Sequence, residues 1–324
     1  MSEEPVPEDL FERAVRRAGQ RARGAMPPSA RLSRLSERSV VLVGEDGRVL
    51  ARIPRVQLEG GASGSPSTPG EWGAAPLPWQ WGDPGEPLAL RRYLLPAATL
   101  FALLVTAVPG LSPLLFGVRI WFHEFGHALV AWLSGRRALP LPMGWTSTSL
   151  ERSPLVMVLV LFLILVLLTM AWRERKAYTA LLASGLILAQ IVASISLDGS
   201  RYGAWFAWGG VAGEFLLPAV LMAGSLFLAP AYFCWERLRF AAAVGGSLTF
   251  WAALREWRAI AAGQRPLPLG SLWGGEDIGD MNTLLAAGWS PQAIADSYLS
   301  LALFCLLGLA VAYGLRQRRG RRGA

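Results

Sequence analysis

The sequence predicts an all-α fold, a polytopic transmembrane helix bundle of six or seven spans preceded by a small soluble amino-terminal region. Two observations carry that expectation. Hydrophobic residues make up 53% of the 324 and charged residues only 17%, which is too apolar for a soluble domain of this length. The apolar residues also gather into runs near the roughly 18-residue length that crosses a bilayer, at 93–109, 111–133, 154–172, 177–197, 204–235, 240–254 and 293–315.

Taken in order, residues 1–56 read as a soluble stretch. "EDLFERAVRRAGQRARG" has helical spacing at Leu10, Phe11, Ala14, Val15 and Ala18 with a basic remainder, so a surface helix on the membrane or on a partner is expected. "SVVLVGEDGRVLARIP" reads as two strands about an Asp46-Gly47 turn. Residues 57–92 include a Gly/Pro/Ser-rich stretch and read as a linker. The membrane domain then occupies 93–315 and a basic tail 316–324. The run at 240–254 is short and ends in "REWR", which fits a re-entrant or interfacial segment.

The net charge of +8 rests on 30 arginines and the single Lys176. These collect in the amino-terminal segment, at loop ends such as Arg136, Arg137 and Arg152, and in the tail, where they read as topology signals and lipid-phosphate contacts. A nucleic-acid partner is not expected, since a basic face with interleaved aromatics on a soluble fold is missing. The tail and the pair Arg91 and Arg92 favour both ends in the cytoplasm and an even number of crossings. The expected location is multi-pass in a bacterial-type cytoplasmic membrane, with the bilayer as one partner. Cys234 and Cys305 have no metal or disulfide spacing and read as lipid-facing or packed.

Polar chemistry inside the apolar runs is sparse and therefore informative. The chain has two histidines, both in "RIWFHEFGHALVAWLSG" at 119–135, as His123, Glu124 and His127. On a helix, positions i and i+4 lie about 40° apart, so both imidazoles leave one face and can chelate one ion, with Glu124 beside them as general base. Ionisable groups in a membrane segment are costly unless paired or used. Two histidines are too few for the histidine-rich di-iron sites of membrane desaturases and hydroxylases. Arg119, one turn before His123, is placed for an oxyanion, although snorkelling to the interface is the expected role.

The H-E-x-x-H helix embedded in an apolar run resembles the site-2-protease-type intramembrane metallopeptidases. A second element of the resemblance is Leu197, Asp198 and Gly199, 71 residues after His127, because that family takes its third zinc ligand from a Leu-Asp-Gly motif. The resemblance implies a zinc endopeptidase (Zn2+ as cofactor) that cleaves membrane-protein substrates, with Asp198 as a ligand. The residues themselves offer a competitor in Glu214 of "WGGVAGEFLLPAVL". Counted at about 1.5 Å per residue, Glu214 and His123 reach similar depths, and Gly209, Gly210 and Gly213 open room for a neighbouring helix. The expected metal ligands are therefore His123, His127 and either Glu214 or Asp198, with depth favouring Glu214.

One acidic loop is left over, "WGGEDIGDMN" at 273–282. Glu276, Asp277 and Asp280, with Glu256 nearby, read either as a solvated loop or as a gate or ion-binding entrance to the site. Asp277 and Asp280 stand next in line as ligands. Two other functions remain open: a catalytically inactive protease homologue that binds clients, and a membrane transporter that uses intramembrane carboxylates.

Overall fold

The computed structural model describes strands within 31–54 and residues 88–321, apart from 109, 112–115, 142, 228, 230–234, 271–274 and 276–278. The expected surface helix at 8–24, the linker up to residue 87, Cys234, Glu276 and Asp277 lie outside the described residues, while residues 88–92 of the expected linker are helical. By its contacts the chain divides into two units, Met1–Pro76 and Leu77–Ala324.

In the first unit three strands, β1 (Arg31–Ser36), β2 (Ser39–Val43) and β3 (Val49–Pro54), form an antiparallel sheet in the order β1-β2-β3. β2 and β3 are the expected hairpin, with Val40 opposite Ile53 and Val41 opposite Arg52. β1 is the strand that sequence reasoning missed. "RLSRLS" alternates apolar and polar residues only weakly, and a bulge between Leu32 and Arg34 breaks its register.

The second unit is helical, and each of the seven apolar runs overlaps a helix. These are α1 (Leu88–Ala107), α2 (Phe116–Leu133), α3 (Pro154–Arg173), α4 (Ala177–Ser196), α5 (Gly199–Gly224), α6 (Trp235–Ala261) and α8 (Pro291–Arg321), with a short α7 (Asp280–Ala286) before the last. Among the described residues four of them are long and apolar enough to cross a membrane: α3, α4, most of α5 and most of α8. The run at 204–235 is divided, since α5 stops at Gly224 and Trp235 already opens α6. The segment at 240–254 is not short. Helix α6 carries it through "REWR" to Ala261, because Trp257 packs inward at 2% exposure and Glu256 finds a cationic partner. Helix α8 continues through the start of the tail.

The core is built around α5. Val211, Phe215 and Met222 of α5, Phe250 and Trp257 of α6, Met281 and Leu284 of α7, and Ile294 and Tyr298 of α8 form one buried cluster. By contrast α3 leaves Leu155, Val158, Phe162 and Leu163 more than half exposed, a surface suited to lipid rather than water.

Between α2 and α3 the chain makes an antiparallel hairpin, β4 (Arg136–Leu141) and β5 (Trp145–Arg152), turning at Gly144 with φ +82°. This corrects the reading of Arg136 as a surface topology charge. Arg136 is 2% exposed and its guanidinium lies 3.8 Å from the centre of the Tyr202 ring. It also donates to the carbonyls of Leu150 (3.0 Å) and Leu197 (3.3 Å). Arg152 donates to the same Leu197 carbonyl at 2.5 Å. Both arginines therefore fasten the hairpin to the α4–α5 junction.

Candidate metal centre

The centre forms where α2 crosses α5 with almost nothing between the backbones. A Cβ on Gly126 would stand 2.8 Å from the Gly213 Cα and 2.9 Å from the Gly210 carbonyl oxygen. One on Gly210 would stand 2.5 and 2.6 Å from the Nε2 atoms of His127 and His123. Small residues at such a crossing permit close approach. Here they also clear the space in front of both imidazoles. The expected role of Gly209, Gly210 and Gly213 is thus met, with Gly126 as their counterpart on α2.

Each imidazole is oriented through Nδ1. His127 Nδ1 donates to the carbonyl of Phe206 at 2.7 Å, and the Phe206 ring stacks on it with centroids 4.6 Å apart. His123 Nδ1 lies 3.0 Å from Glu214 Oε1, a carboxylate that can only accept. The two Nε2 atoms then converge on one atom, Asp280 Oδ2, at 2.9 Å from His123 and 3.1 Å from His127. With both Nδ1–H groups committed outward, neutral rings turn bare lone pairs toward a carboxylate oxygen. Three electron-pair donors thus meet with no proton to share. Protonating both rings would instead set two cations side by side, with centroids 4.8 Å apart. A divalent cation among the three atoms removes the conflict, and outward Nδ1–H bonds to a carbonyl and a carboxylate are the usual support for imidazole ligands. The donor set fits a metal that accepts nitrogen and oxygen.

Glu124 stands beside this cluster, buried at 3% exposure. His123, Glu124 and His127 each offer a donor atom, all within 4.8 Å of one another. Glu124 Oε2 accepts from the Thr146 hydroxyl of β5 at 2.6 Å, which leaves Oε1 for a proton.

Of the expected third ligands, the structure brings Glu214 to the imidazoles and leaves Asp198 away from them. Glu214 meets His123 on the Nδ1 side, opposite the converging Nε2 atoms. Its Oε2 accepts from Arg119 at 2.6 and 2.9 Å. Asp198 occupies the N-cap position of α5 without a side-chain cap bond. It lies roughly 12 Å along the helix axis from Phe206, whose carbonyl holds His127. Arg119 does not snorkel. It is held by Glu214 and by Glu256, the latter at 2.7 Å.

Asp280, from the acidic loop, arrives as the first residue of α7. The buried Met281 and Leu284 seat that helix in the core, and Asn282 Oδ1 accepts from the Gly270 N–H at 2.9 Å.

Residues 96–144, from within α1 to the turn before β5, match the family described as Peptidase M50B-like. The match contains the whole of α2 and supports the site-2-protease-type resemblance read from its motif. No curated protein and no solved structure matches the chain.

Proposed function

We propose that this chain is an intramembrane zinc endopeptidase acting on membrane-associated polypeptides, with His123, His127 and Asp280 as the metal ligands and Glu124 as the general base. The observation that supports it is the convergence of two outward-anchored imidazoles and one carboxylate oxygen beside a buried glutamate. Two imidazole nitrogens and one carboxylate oxygen are the donor set of catalytic rather than structural zinc, and these residues would hold it. Zinc bound there supplies a Lewis acid that polarises a peptide carbonyl and makes water acidic enough to attack near neutral pH.

The protein's own groups carry the remaining work. Glu124 Oε1 accepts the proton of the attacking water and returns it to the leaving amine. Glu214 keeps His123 in the tautomer that presents Nε2, and Phe206 does the same for His127. Arg119 pairs with the buried Glu214 and with the partly exposed Glu256, so that neither carboxylate beside the site stands without a cation. The apolar helices confine the reaction to the membrane, which makes a membrane-associated polypeptide the substrate class.

The test is Glu124→Gln. This variant retains zinc and fold and loses proteolysis, read as fragments in the membrane proteome that appear with the wild type alone. Fragments at wild-type level with Glu124→Gln contradict the mechanism. A wild-type protein purified without zinc favours the transporter reading instead.

A further inference from the structure

The hairpin between α2 and α3 has no place in the mechanism above, yet one of its side chains touches the catalytic carboxylate. We infer that Thr146 is a positioning residue for Glu124, fixing which of its two oxygens takes the proton, and that the β4–β5 hairpin exists in part to hold it there. The inference rests on the protease reading and deepens it.

The geometry begins with a hydroxyl that has one proton and two acceptors in reach. Thr146 Oγ1 lies 2.6 Å from Glu124 Oε2 and 3.0 Å from the Glu124 backbone carbonyl oxygen. The carboxylate oxygen is the nearer and the charged acceptor, so the proton goes to it. Oε2 is then occupied, and Oε1 is the oxygen left for water. A glutamate has three rotatable side-chain bonds before its carboxylate, and a short charge-assisted bond from a rigid neighbour removes much of that freedom.

The neighbour is rigid because of where the strand places its next inward side chain. Alternation along β5 puts Thr146 and Thr148 on one face, both partly buried. Thr148 Oγ1 lies 2.7 Å from the Tyr202 hydroxyl of α5. Tyr202 in turn carries Arg136 on its ring, and Arg136 with Arg152 grips the Leu197 carbonyl. The strand that holds the base is therefore anchored on α5, the helix that also supplies Glu214 and the Phe206 carbonyl. A threonine needed only for strand propensity or for filling space would do the same with Val, and that difference makes the inference testable.

The experiment uses the full-length, zinc-loaded protein in detergent and a small peptidyl hydroxamic acid as probe. The probe binds a metal as its anion, and its hydroxyl proton passes to the neighbouring glutamate, so its affinity reports on Glu124 placement without a known substrate. Thr146→Val, which keeps the shape and removes the hydroxyl, is expected to retain zinc and melting temperature and to bind the probe about tenfold more weakly. Thr146→Ser restores binding to within about threefold of wild type. In a Glu124→Gln background Thr146→Val causes no further loss, because no carboxylate is left to take the proton of the probe. Wild-type affinity in Thr146→Val, or the same loss with and without Glu124, overturns the inference. Failure of both Thr146→Val and Thr146→Ala to fold or to hold zinc makes Thr146 structural and overturns it too. A wild-type protein that takes up neither zinc nor probe is a different failure, that of the protease reading on which the inference stands.

Discussion

Helices α3 and α5 both read as membrane spans, and they differ in what surrounds them. The most apolar window of α3 has a mean hydropathy of 3.0 and only 11% of it is buried, whereas that of α5 has 1.5 and 61% buried. The less apolar helix is thus the central one. In a bilayer the solvent is itself apolar, so hydropathy marks what touches lipid, while close packing and paired polar groups mark the interior. Helix α5 carries three glycines at the α2 crossing, Glu214 against Arg119, and the Phe206 carbonyl that holds His127. Helix α3 carries none of these.

Alanine at two glycines should break that contrast most visibly. Gly126→Ala drives a methyl group into the backbone of α5. A cost of about 3 kcal/mol is expected, at the upper end of overpacking penalties. Gly185→Ala in α4 meets nothing within 4 Å and is expected to be neutral or to stabilise by about 0.5 kcal/mol. Thermal unfolding of both variants in one detergent measures the difference, and equal melting temperatures would remove the distinction between the two regions.

Glu214→Ala comes next. It leaves His123 Nδ1 without its acceptor and Arg119 without one of its two carboxylates. Zinc affinity is expected to fall about 10- to 100-fold, the usual cost of losing an outer partner of an imidazole ligand. Competition with a chelator of known affinity reads it.

Acid should act on the centre and spare the lipid-facing helices. Metal ligation requires neutral imidazoles, and protons compete with the metal for them as the pH falls. Zinc is expected to leave between about pH 6 and pH 4.5, while helix content measured by circular dichroism stays constant. Release only after the helix signal has collapsed would contradict this. The smallest effect is expected at Phe162→Ala on the exposed face of α3, within about 0.5 kcal/mol of wild type.

How much of this was legible in the sequence follows the same division. The apolar runs announced the helices, and the i, i+4 spacing announced the paired imidazoles, because both patterns are local. The depth count that brought Glu214 to the level of His123 also succeeded, and the two side chains touch. It could not say which imidazole nitrogen Glu214 would meet, and the proposed choice between ligand and support rests on that. Asp280 was visible only as one of several acids in a loop without periodicity, 157 positions from His123. Its role depends on α7 packing through Met281 and Leu284, which no local pattern shows. The β4–β5 hairpin was missed because Pro140, Pro142 and a polar Thr/Ser strand read as a loop between spans. Arg136 misled for a related reason. An arginine at the end of an apolar run is ordinarily a surface charge, and here a tyrosine ring and two carbonyls bury it.

The central claim is that Asp280, and neither Asp198 nor the carboxylate on the Nδ1 side of His123, completes the metal centre. The most direct measurement is zinc per chain by elemental analysis on Asp280→Ala and Asp198→Ala, purified in parallel and matched for helix content. The expected result is near-complete loss of zinc in Asp280→Ala and wild-type zinc in Asp198→Ala, since removing a ligand destroys the site and altering a helix N-cap costs only about 1 kcal/mol of stability. Zinc retained in Asp280→Ala and lost in Asp198→Ala would contradict the account and return the third ligand to the Leu-Asp-Gly motif.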